Sequence, residues 1–151
     1  MWMRVFGLNG NVPSVAALCE RLATIDVAVV PSVRGDDLGW TEAELRYGEH
    51  AIGLARFLTV EDDLRDDLNA YAAELEGMVA IEPRATPLME RVIQSKQLIT
   101  IRMPVALADE SFGERVGRPT AMWLAGRIDG IVQIDGSGWH AADGERLVAE
   151  Y

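Results

Sequence analysis

Cysteine is almost missing from this 151-residue chain. Cys19 stands alone, so no internal disulfide can form and the stapled secreted scaffolds are excluded. A lone thiol agrees with a reducing compartment, and an intracellular, cytoplasmic protein is expected. Clustered positive charge is also missing. The chain has 14 basic against 24 acidic side chains, a net charge of −10. Phosphate backbones are held by clustered Lys and Arg, so nucleic acid is not an expected partner, and an anionic membrane surface would repel the chain. Long apolar runs are absent as well. The purest, Val27 to Val30, is far shorter than the roughly 20 residues of a spanning helix. The opening Met1-Trp-Met-Arg-Val-Phe-Gly-Leu lacks the basic, apolar and small-residue sections of a signal peptide. No contact with a membrane is expected.

Chemical motifs are scarce too. Two histidines and one cysteine, none paired at ligand spacing, cannot build a closed zinc site. His50 in a turn and His140 on a short strand read as surface side chains. The run Glu61-Asp-Asp-Leu-Arg-Asp-Asp67 lacks the spacing and central glycine of a calcium loop. No serine has glycine at both −2 and +2, as a nucleophile elbow requires. Gly7-Leu-Asn-Gly10 has two glycines of a phosphate-binding loop but not the third, and reads as a plain strand-to-helix turn. The sequence therefore assigns no catalytic residue, no metal and no cofactor. Enzymatic activity stays open, with the balance against it.

What is present is an ordinary globular composition, 49% hydrophobic and 25% charged, which argues against disorder. The length fits one domain, large enough to bury roughly 68–70% of the unfolded chain's surface without staples. The charge is uneven. Residues 1–76 carry 14 acids against 6 bases, net −8, and residues 77–151 carry 10 against 8, net −2. A basic protein could exploit the acidic half, although solubility alone accounts for such a charge.

Periodicity supplies the elements. Residues 3–8 read as a strand, and Pro13 opens a helix with Val15, Leu18, Cys19 and Leu22 on one face, Cys19 in the core. Three strands follow: Val27 to Val33, with Pro31 marking an edge, then Trp40 to Tyr47, then Ala51 to Leu58. Thr59 is expected to cap a helix with Glu61, Asp62 and Asp63 in its first turn and Leu64, Leu68, Tyr71 and Leu75 as its buried stripe, closed by Gly77. Thr86-Pro87 starts another helix, and Leu98 to Met103 is a strand. From Ala108 to Arg118 the pattern is ambiguous: Gly113, Gly117 and Pro119 would interrupt one long helix, or Pro119 opens a new one bearing Ala121, Leu124, Ala125 and Ile128. Three short strands end the chain, the last two joined at Asp143-Gly144. The class is α+β: a mostly antiparallel sheet with helices packed on one face, in a single domain of two similar strand–helix–meander halves, 1–77 and 84–151.

One constellation bears on function. Alternation in the strand from Trp40 sets Trp40, Glu42, Glu44 and Arg46 on one side. Arg4 and Arg102 interrupt apolar strands at alternating positions, so all six side chains could share the helix-free sheet face. These six are the candidate binding residues; a solvated face with cross-strand ion pairs is the plainer alternative. Two functions follow. One is a non-catalytic, acidic interaction or regulatory protein with a basic partner. The other is a small-ligand-binding or catalytic domain that uses the same face, for which a pocket lined by these residues would speak.

Overall fold

Met3 and Val5 alternate with Phe6 along the first strand, and all three are buried, so this strand needs cover on both faces. The computed structural model describes residues 1–36, 39–104 and 110–150. The chain runs β1 (Trp2–Gly7), α1 (Val15–Ala23), β2 (Val30–Arg34), β3 (Glu42–Tyr47), β4 (His50–Leu58), α2 (Arg65–Glu76), α3 (Ala85–Ile93) and β5 (Gln97–Arg102). A helical run follows, made of α4 (Glu110–Phe112), a π turn (Gly113–Gly117) and α5 (Arg118–Arg127). It leads into β6 (Gly130–Ile134), β7 (Gly138–Ala141) and β8 (Arg146–Ala149).

The strands form one eight-stranded sheet in the order β2-β3-β4-β5-β1-β6-β7-β8, and each neighbouring pair is antiparallel. The α+β class with an antiparallel sheet is thus what the structure has. The halves 1–77 and 84–151 interleave within it, because β1 is bonded on both sides by strands of the second half, β5 and β6. The first meander joins the centre through its last strand, β4, and the second through its first, β6.

Helices, expected on one face, also take part of the other. α1, the π turn and α5 lie over Met3, Val5, Leu45, Ile52, Leu54, Ile99, Ile101, Val132 and Ile134. α2 and α3 lie over the opposite face, where Phe6, Leu98, Ile131 and Trp139 form a smaller apolar patch. The stripe of α2 requires such a patch, and the expected residues supply it: Leu64, Leu68 and Leu75 are buried with Ala72, while Tyr71 is half-buried edge-on to Phe6. Among the described residues, no helix covers the rest of that face.

Local details differ from expectation for identifiable reasons. Thr59 does not cap α2. Its hydroxyl donates to the Ser95 carbonyl at 2.8 Å, and α2 begins only at Arg65, with Asp66 and Asp67 in its first turn. Asp62 instead accepts the Leu58 N–H at 2.6 Å, closing the turn after β4. Gly77 ends α2 at φ −63°, without the left-handed conformation that would require glycine. In the ambiguous segment, residues 108 and 109 lie outside those described. Beyond them Pro119 does fall in the first turn of α5, yet the backbone passes from α4 through the π turn without a break. The Arg118 N–H donates to the Gly113 carbonyl, a five-residue span that carries the helix up to the proline. Gly117 permits close approach here, since a Cβ would stand 2.6 Å from the Met103 sulfur. Cys19 is half-buried at the rim of the main core rather than inside it.

His140, expected at the surface, is buried. β7 is an interior strand, and His140 lies opposite Val132 on the helix-covered side, with its Nε2 3.0 Å from the Ser137 hydroxyl. Burial, aided by Arg118, opposed by the Gly144 backbone, aided again by Arg146 and opposed by Glu114, pushes its pKa below the usual imidazole value. The folded state therefore binds a proton less readily than the unfolded chain. This contribution to stability is complete above the unfolded value near 6.5 and is lost as the pH falls from there through the folded value.

Two outcomes follow from this packing. Leu68→Ala should cost about 2–5 kcal/mol in urea unfolding, the range for large-to-small core changes; a loss below about 0.5 kcal/mol would place the stripe outside the core. Between pH 7.5 and pH 5 the wild type should lose more stability than His140→Gln does. Parallel pH curves for the two proteins would remove the histidine from the acid response.

Candidate functional site

The helix-free part of the sheet is shaped by side-chain size along β4. Ile52 and Leu54 point into the main core, while Ala51, Gly53 and Ala55 point the other way and leave the opposite face low. Register sets taller neighbours around this strip. One row across five strands reads Ser32, Glu44, Gly53, Arg102, Trp2, and the next reads Arg34, Glu42, Ala55, Thr100, Arg4. The result is an open groove of about 750 Å³. Gly53, Ala55 and Thr100 form its floor, with Phe57 next in phase along β4; Glu42, Glu44 and Arg34 make one wall, and Arg102 and Trp2 the other.

The charges on the walls are differently engaged. Arg34 and Glu42 face each other across β2 and β3 at 3.6 Å, and Glu44 meets Arg46 of its own strand at 3.4 Å. Both pairs are exposed, so each contributes only about 0–1 kcal/mol and opens readily for another partner. Arg102 is exposed, and among the described residues its side chain has no hydrogen-bond or ion-pair partner. Its side chain runs back over β4, where a Cβ on Gly53 would touch its Nε at 3.7 Å. Trp2, beside Arg102, and Phe57, on the floor strand, are 40% and 37% exposed, large apolar surfaces within the groove.

Five of the six candidate residues stand on this face as alternation implies: Glu42, Glu44 and Arg102 line the groove, Arg46 lies just outside it, paired to Glu44, and Arg4 is the fifth. Arg4 shares the face but is committed elsewhere. It donates to Gln133 at 2.7 Å and Asp135 at 2.9 Å, with its guanidinium 5.5 Å from the centre of the Tyr71 ring. Trp40 is the correction. It is fully buried in the core on the other side of the sheet, and its indole N–H donates to the Pro13 carbonyl at 2.8 Å. The strand starts at Glu42, and a bend at Thr41 breaks the alternation that would have carried Trp40 to the polar side.

Ser32, Arg34, Gly53, Ala55, Phe57, Thr100 and Trp2 line the groove without having been singled out. Only one signal in the sequence pointed to them, the all-small alternate positions Ala51, Gly53 and Ala55 of β4. Among the described residues no group of three or more His, Cys, Asp or Glu could hold a metal ion, and no helix is long and apolar enough to cross a membrane. Comparison of the chain with protein-family models, curated proteins and solved structures found no match.

The burial of Trp40 gives a sharp expectation. Trp40→Ala should cost about 3–5 kcal/mol, as aromatic truncations in cores do, whereas Glu44→Ala should stay within about 0.5 kcal/mol of wild type. Thermal and urea unfolding of the two variants checks both, and a mild Trp40→Ala would return this residue to the surface.

Proposed function

We propose that the chain is a non-catalytic binding protein whose groove on the helix-free sheet face receives a small zwitterionic organic ligand. The observation that carries this reading is the exposed, unpartnered Arg102 facing two carboxylates across a floor of glycine and alanine. β3 and β5 are two strand spacings apart, about 9–10 Å. A small molecule with a carboxylate at one end and an ammonium at the other can therefore engage Arg102 and Glu42 or Glu44 together. Trp2 and Phe57 offer apolar area for its body, and the volume is in the range of ligand pockets. The lining has cations, carboxylates and hydroxyls for recognition but, among the described residues, no His, Cys or Lys. That composition supports binding over catalysis. A cytoplasmic location belongs to the same reading and rests on the single cysteine.

A second reading, an acidic regulatory protein with a basic polypeptide partner, draws on the net charge of −10 and on the same two glutamates. One experiment separates the two. Ligand-observed NMR with a panel of zwitterionic and purely cationic fragments is run on wild type, Arg102→Ala and Gly53→Val. Zwitterions should bind the wild type, weaken at least tenfold in Arg102→Ala, and be excluded sterically by Gly53→Val, with melting temperatures little changed. Cationic fragments that bind all three proteins alike would favour the basic polypeptide. Silence from every fragment would sink the groove as a small-ligand site.

A further inference from the structure

Arginine is seldom buried unless it is paired, yet Arg56 is 8% exposed and, among the described residues, no carboxylate lies within ion-pair distance of it. Alternation along β4 sends it to the face opposite the groove, beside Gln97 of β5 and beneath the loop between β1 and α1. There its Nε donates to the Gln97 side-chain oxygen at 2.7 Å and one terminal nitrogen, Nη2, reaches the Gly10 carbonyl at 3.4 Å. The Gln97 amide in turn donates to the Asn9 and Asn11 carbonyls, each at 2.8 Å, so the loop and the guanidinium brace each other. The other terminal nitrogen, Nη1, bonds nothing among the described residues, and it is not among the buried polar atoms sealed without a partner. Arg56 lines a cavity of about 570 Å³.

The other charges on that cavity point the same way. Arg65 lines it, held by one bond to the Ile93 carbonyl at 2.6 Å, and so does Lys96, the chain's single lysine. Against these three cations the lining, among the described residues, holds one acid, Glu61. In a protein of net charge −10 this is a local concentration of positive charge, drawn from three separate places, β4, α2 and the turn just before β5. Burial lowers the Arg56 pKa, and Asp62 and Glu61 act against that at longer range, so the guanidinium stays charged without a direct counterion.

We infer that this cavity is an anion site for the phosphate group of a small molecule, separate from the groove and independent of its function. Phosphate fits better than carboxylate because three oxygens can meet three donors, the free Arg56 nitrogen, the Arg65 fork and the Lys96 ammonium. The cavity also has room beyond a phosphate group, which a phosphomonoester would fill. Gly10, part of the Gly7-Leu-Asn-Gly10 turn, lines the same cavity, and a Cβ there would meet nothing within 4 Å. The loop acts here through carbonyls that hold Arg56 and Gln97 in place, unlike a phosphate cradle built from N–H groups.

Calorimetric titration at low salt tests the site, with inorganic phosphate, glucose 6-phosphate, acetate and glucose as probes. One-to-one saturable binding is expected for one or both phosphates, together with a raised melting temperature, and none for glucose. Lys96→Ala and Arg65→Ala, both at exposed positions, should fold normally and each weaken binding at least tenfold. Gly53→Val in the groove should leave it unchanged. Tighter binding of the ester assigns the site to a phosphorylated metabolite, and equal binding assigns it to the free ion. Absence of saturable phosphate binding, affinity for acetate equal to that for phosphate, or undiminished binding by a Lys96→Ala/Arg65→Ala double variant would each overturn the inference.

Discussion

The ladder between β1 and β5 sets the frame for everything else in this protein. It joins the two halves of the chain, and it extends past both strands through Lys96 N–H to Gly7 at 2.7 Å and Met103 N–H to Met1 at 3.0 Å. Both strands are covered on both faces at their Gly7/Gln97 end, so their register is fixed twice over. A slip of one residue would send Phe6 and Leu98 into the main core and Met3, Val5, Ile99 and Ile101 toward the polar face. With this pair in register, β4 and β6 dock on either side and place Arg102 between Gly53 and Trp2.

From that register the two faces acquire different uses. The side under α1 and α5 is apolar nearly throughout, and it makes the larger core. The other side is apolar only around Phe6, Leu98, Ile131 and Trp139, which is where α2 and α3 settle. Beyond that patch come rows of Arg, Glu, Ser and Thr over a strip of glycine and alanine. No apolar stripe could gain by covering them, and the groove is what remains. β4 serves both candidate sites: its small residues make the groove floor, and Arg56, one step out of phase, is carried to the opposite face beneath the β1–α1 loop. Gly138, at φ 120°, shows how closely the second meander is fitted, since a Cβ there would collide with the Val148 carbonyl.

Much of the fold was legible in the chain because alternation and helical spacing are local. The strands, the Leu64–Leu68–Leu75 stripe, the α5 stripe through Ile128 and the hairpin at Asp143-Gly144 stand close to where spacing puts them, although β2 begins only at Val30 and β3 only at Glu42. The candidate site was legible in part. Glu42, Glu44 and Arg102 share a face because they sit in phase on regular strands. Trp40 was misplaced because alternation holds only inside a strand, and the bend at Thr41 lies just before β3 starts. His140 was misplaced because a short strand gives no sign of whether it is an edge or an interior one.

The sequence by itself determined the class of this protein and the polarity of most strand faces. It also excluded an internal disulfide and made clustered phosphate-backbone contacts unfavourable, since these follow from residue types and their periods. Only the tertiary structure decided which strands are neighbours, and with that which polar side chains meet. Arg34 to Glu42, Arg102 over Gly53, and Arg56 beneath Gly10 join residues from 8 to 49 positions apart. The apolar burial that drives strands and helices together is non-directional. It says that strands must pair and be covered, and leaves the choice of partners to the packing and hydrogen bonding of the whole sheet.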